Sequence, residues 1–119
     1  MKFLRNFFLF SILAMLPGFA LAVGAIAVDD EAGEEEPGYG IAVGKASKDD
    51  AGRAALAECR KAGNRNCKVV VWFDGCGAYA TSRRYFGVGW GRTIESAEDM
   101  AVRECGRSTC KVKISECDD

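Results

Sequence analysis

The sequence predicts an α+β domain of two ββαβ repeats: a six-stranded, mainly antiparallel sheet with both helices on one face, stapled by disulfides. Three observations lead there. Residues 54–73, A-A-L-A-E-C-R-K-A-G-N-R-N-C-K-V-V-V-W-F, read as a helix end, a Gly/Asn turn and a strand, with a cysteine on each side of the turn. Residues 100–114, M-A-V-R-E-C-G-R-S-T-C-K-V-K-I, draw the same figure again. The chain also opens on an export signal and carries six cysteines, the combination expected of a small exported, oxidised domain.

The signal comes first. Lys2 and Arg5 supply a positive start, residues 7–16 an apolar run, and Pro17-Gly18 a break before the cleavage pattern Ala20-Leu21-Ala22. That run is too short to span a bilayer, and no cysteine follows the cleavage point closely enough for a lipid anchor. Residues 1–22 are therefore expected to be removed. The remaining residues 23–119 form one domain of two repeats, about 23–75 and 76–119. Losing Lys2 and Arg5 takes the basic residues from 16 to 14 against 17 acidic ones, a net charge of −3. Such a balance is no footprint for nucleic acid or an anionic membrane. The mature chain has no second apolar segment, so no membrane association is expected after cleavage, and the location is periplasmic or secreted.

Within the first repeat, residues 24–28 form a short strand, and the acidic connection 29–38 closes on a Pro-Gly turn. Tyr39, Ile41 and Val43 then alternate with Gly40 and Ala42 as a strand. Ser47 caps a helix, with Asp50 three residues on. Ala51, Ala54, Ala55 and Leu56 give it an apolar side, and Gly63-Asn64 ends it. Residues 67–73 are a β-branched strand. The second repeat answers each part: strand 77–81, the basic turn 82–84, strand 86–90, a helix capped by Thr93 and carrying Ile94, Ala97, Ala101 and Val102, and strand 110–115.

The repeat also ranks the cystine pairings. Cys59 at a helix end faces Cys67 at a strand start, and Cys105 faces Cys110 in the same way. Cys76 and Cys117 are then left to join the two units. Loop-closure entropy assigns about 2–3 kcal/mol to each short bridge and about 4 to the long one, a large share of a typical net stability of about 5–15 kcal/mol.

Taken together, A-L-A-E-C…C-K-V-V-V-W-F…C-G-A-Y-A and the later G-V-G-W-G…C…C-K-V resemble a family of small secreted bacterial domains of unknown function. The resemblance covers nearly all of the mature chain. It implies an exported α+β domain and brings no catalytic residues. The last strand, K-V-K-I-S-E-C, is more polar than that family's pattern.

The residue types exclude much chemistry. Histidine is absent, which removes Ser-His-Asp and Cys-His catalysis and His-ligated zinc. No C-x-x-C occurs, and oxidised cysteines offer no thiol nucleophile. Carboxylates remain: Glu58, Asp49, Asp50 and Asp74. Helix capping accounts for Asp49 and Asp50 and a turn for Asp74. The acidic connection lacks the spacing of a calcium loop, so no cofactor and no metal are expected. The alternation of Gly87, Gly89 and Gly91 with Phe86, Val88 and Trp90 reads as a bare outer sheet face. Lys68, Val70 and Trp72 point to that same side, and Arg83, Arg84 and Tyr85 rim it.

The expected function is that of an exported protein-binding module, not an enzyme. Its most concrete form is an immunity or inhibitor protein whose partner is an exported toxin or envelope hydrolase. A secreted factor acting outside the cell, or a carboxylate-dependent envelope hydrolase, are the alternatives.

Overall fold

A computed structural model describes residues 22–118 apart from 32 and 34. The proposed export signal, residues 1–22, lies outside the described residues save for Ala22. The elements are β1 (Val23–Asp29), β2 (Gly38–Lys45), α1 (Lys48–Lys61), β3 (Lys68–Phe73), β4 (Cys76–Ser82), β5 (Tyr85–Gly91), α2 (Ile94–Cys105) and β6 (Lys111–Cys117). Each half is a ββαβ unit, all its strand pairs are antiparallel, and the α+β two-repeat reading holds.

The six strands do not form the single sheet expected from the sequence. They divide into two three-stranded sheets, β2-β1-β3 and β5-β4-β6. The reason lies in the central strands. β1 is buried along both faces, and so is β4. On one face of β1, Ala25 and Ala27 pack against Ala51, Ala55 and Cys59 of α1; Ala78 and Ala80 of β4 meet Ala97, Ala101 and Cys105 of α2 in the same way. On the other face Ile26 and Val28 join Val71, Phe73 and Tyr79 in one shared cluster. A single sheet with both helices on one side would leave those large side chains in water, at roughly 1.5–3 kcal/mol each. Stacking the sheets buries them and puts the helices on opposite outer faces. The layers are helix, sheet, sheet, helix.

The helices sit very low on their sheets. A Cβ on Gly40 would lie 2.3 Å from the backbone nitrogen of Cys59, and one on Gly89 would lie 2.0 Å from the carbonyl oxygen of Ala97. The glycines of β5 are thus the seat of α2 and not a bare outer face. Close approach of the helix axis explains the alternation as well as exposure does, and here packing requires it. Ser47 and Thr93 cap the helices as expected, and the complete capping box is at Thr93 with Ser96. Of the apolar residues on α2, Ala97 and Ala101 are buried and Ile94 is exposed at the first turn.

All six cysteines are oxidised, as Cys59–Cys67, Cys105–Cys110 and Cys76–Cys117. The two short bridges fasten each helix end to the strand that follows. The third does not join the two units: Cys76 and Cys117 stand directly opposite in the β4–β6 pair, inside the second unit.

The pairs β1–β3 and β4–β6 carry a bulge at the same place. In the first sheet Ile26 pairs with Val71 and Ala27 with Val69, leaving Val70 as the extra residue; in the second, Tyr79 pairs with Ile114 and Ala80 with Val112, leaving Lys113. The units are related by a pseudo-two-fold along the strands. β1 lies over β4 and β3 beside β5, while β2 faces β6 across a groove. The two sheets therefore meet edge for edge with their roles exchanged. Phe73 fills the space over Gly24 and Gly77, the equivalent glycines of the two central strands.

Candidate functional site

The bulge at Val70 separates three residues that simple alternation puts on one face. Val70 packs into the cluster between the sheets. Lys68 is exposed and pairs with Asp30 at 3.5 Å. Trp72 emerges on the helix side, beside Gly52 at the start of α1. Its indole Nε1–H donates to the Lys48 carbonyl at 3.1 Å, and the Lys48 ammonium stands 5.6 Å from the ring centroid. The ring is fixed by these contacts and still 43% exposed. With Ser47, Phe73 and Asp74 it lines an open hollow of about 530 Å³.

Arg83, Arg84 and Tyr85 do not rim that surface. Trp72 stands opposite Ala25, near the start of β1. The 83–85 turn lies at the other end of the sandwich, where the Arg84 N–H donates to the Glu35 carbonyl of the acidic connection. The Arg107 guanidinium sits 4.1 Å from the Tyr85 ring centroid. Arg83, Tyr85, Arg107, Ser82, Thr109 and Glu36 line a smaller recess of about 310 Å³. Two residues that the sequence placed in elements without naming them as site candidates are as exposed as Trp72: Trp90 at 47% and Ile94 at 42%. Their signal was the apolar residue at a strand end followed by one at a helix start, where the chain leaves the core.

A second open groove, also of about 530 Å³, runs between the outer strands β2 and β6. Tyr39 and Ile41 belong to its β2 side, Glu58 comes from α1, and Lys113 and Glu116 come from β6. Lys113 pairs with Glu36 at 3.4 Å and Lys61 approaches Glu58 at 3.9 Å. Of the four acids considered from the sequence, only Glu58 reaches this groove. Asp50 pairs with Arg53 at 2.8 Å, Asp49 lies in the first turn of α1, and Asp74 borders the Trp72 hollow.

The remaining buried polar groups do structural work. The Asp29 carboxylate accepts the backbone N–H of Glu31, Arg65 and Asn66. Those amides, Glu31 foremost and then Asn66, hold its carboxyl below the ordinary value against the opposing effect of burial. Asp118 accepts from the Gly44 and Gly75 amides, tying the end of β2 to the β3–β4 turn. The Tyr79 hydroxyl, fully buried, donates to the Pro37 carbonyl. Among the described residues no cluster of His, Cys, Asp and Glu is placed to hold a metal ion, and no helix is long and apolar enough to cross a membrane.

The model of a family described as a domain of unknown function, DUF4189, matches residues 23–117, and the chain belongs to that family. No curated protein and no solved structure matches it. The three cystines fit an exported protein.

Proposed function

From family membership and the oxidised frame, we propose an exported protein-binding module, in its most concrete form an immunity or inhibitor protein that blocks a toxin or hydrolase of the cell envelope. The observation that carries this is Trp72: a large ring, nearly half exposed, whose orientation is fixed in the free protein by the Lys48 carbonyl and ammonium. An aromatic anchor of this kind loses little rotamer freedom on docking, and such residues dominate binding energies. The frame beneath it is stapled and closely packed, which suits presentation of a fixed surface.

Affinity capture from envelope extracts tests the reading. The wild-type protein is expected to hold one partner in a stoichiometric complex, and Trp72→Ala to weaken that complex at least about tenfold. Recovery of no partner, or equal capture by Trp72→Ala, contradicts it. Capture of a partner from outside the producing cell alone supports the alternative of a secreted factor. A carboxylate-dependent envelope hydrolase draws on one observation, the convergence of Glu36, Glu58 and Glu116 on one groove. It requires turnover of an envelope polymer that Glu58→Gln or Glu116→Gln abolishes.

A further inference from the structure

The β2–β6 groove has features the Trp72 surface lacks. β2 is the outer strand of its sheet, so one side of its backbone has no strand partner. The groove follows that open side, bounded by Glu58, Ala62 and Asn64 at the end of α1 and by Lys113, Ile114 and Glu116 on β6. An open strand edge walled by a helix and a second strand is the setting in which extended peptides add to sheets.

A strand laid along β2 at the usual spacing of about 4.8 Å turns alternate side chains to the two walls. One set meets Glu58 on the α1 side; the other meets Glu116 on the β6 side. Three glutamates, Glu36, Glu58 and Glu116, line the groove against one lining cation, Lys113, which is paired with Glu36; Lys61 approaches Glu58 from outside at 3.9 Å, a long contact between exposed side chains. The pseudo-two-fold gives an internal comparison: at the start of β5, the counterpart of β2, the recess is lined by Arg83, Arg107 and Tyr85 with Glu36, so its cations outnumber its acids where the β2 groove has the reverse.

We propose that the β2–β6 groove is a strand-addition site for an extended, cationic segment of a protein partner. The main-chain edge of β2 supplies affinity, Tyr39 and Ile41 supply apolar contact, and Glu58 and Glu116 select lysine or arginine. This rests on the reading of the chain as a protein-binding module and gives that partner a chemical character.

The probe is a capped peptide of alternating lysine and valine, about eight residues long, added to the oxidised protein with affinity read by calorimetry and site by backbone amide shifts. Expected are shifts concentrated in residues 38–41. Expected too are an at least tenfold weaker Kd for the Glu58→Gln/Glu116→Gln double variant and a similar loss when alternate peptide amides are N-methylated. An alternating glutamate–valine peptide should not bind. No binding of the lysine–valine peptide, shifts confined to the Trp72 or Tyr85 regions, or affinity unchanged by both modifications each overturns the proposal. Glu58 is exposed and Glu116 half-buried, and an intact circular dichroism spectrum with three bridges confirms that the double variant folds. The two readings fail separately. A captured partner whose affinity ignores the double variant but falls with Trp72→Ala sinks the groove and leaves the binding module standing. Peptide binding with no partner in any extract does the reverse.

Discussion

Among the described residues Tyr79 is the largest fully buried side chain, set between the sheets with Tyr39 at 4.6 Å between ring centroids and Phe86 at 6.2 Å. Burial pushes its hydroxyl up to about 12, and the proton it keeps is the one given to the Pro37 carbonyl. Tyr79→Phe preserves the ring packing and leaves that carbonyl without its donor. It should cost about 1–2 kcal/mol in denaturant unfolding, and an unchanged midpoint would show that the bond contributes nothing. Asp29 works the other way. Its folded pKa lies below the unfolded value, so its contribution is present above about pH 4 and is lost as pH falls through the folded value. Asp29→Asn should lower stability at neutral pH and flatten the acid limb of the pH–stability curve; a limb that keeps its wild-type slope would assign it to other carboxylates. Neither role was legible in the sequence. Asp29 reads there as one more member of an acidic run, because two of the three amides it accepts belong to Arg65 and Asn66, far away in the chain.

At the scale of elements, the alternation of β5 was visible in the sequence and its meaning was not. Glycine at every second position permits either a bare face or a helix laid directly on the strand, and the choice depends on what packs above. The alanines at 97 and 101, spaced for one helix face, were the complementary half of that contact. Gly89→Ala should force α2 away from β5 and cost about 1–3 kcal/mol, as overpacking does, with tryptophan fluorescence of nearby Trp90 changing in the folded state. A neutral substitution would mean that the helix rides higher than described. The bulges at Val70 and Lys113 were likewise hidden, since one extra residue leaves composition untouched and reverses the faces from that point on. That reversal is why Trp72 parted from Lys68 and Val70. The helices, their caps and the two short cystines were readable, because each is set by residues within a few positions of one another.

For the whole molecule, the repeat told what the unit is and left open how two units meet. Both arrangements contain six antiparallel strands and two helices; they differ in whether the apolar second face of each sheet is covered. The residues that decide, Ile26, Val28, Val71, Phe73 and Tyr79, were evident as apolar strand positions. Their joint burial is a long-range fact that local periodicity does not report. The same applies to the β2–β6 groove, which exists only because the sheets stack with edges exchanged. The disulfide map links these levels, since Cys76 and Cys117 bridge within the second sheet only if β4 lies beside β6.

Peptide mass mapping of the non-reduced protein recovered from producing cells bears on the oxidised two-unit frame most directly. The expected result is a chain beginning at Val23, with bridges 59–67, 76–117 and 105–110 and no free thiol. A chain retaining residues 1–22, free cysteines, or Cys76 bonded to any residue but Cys117 would contradict it.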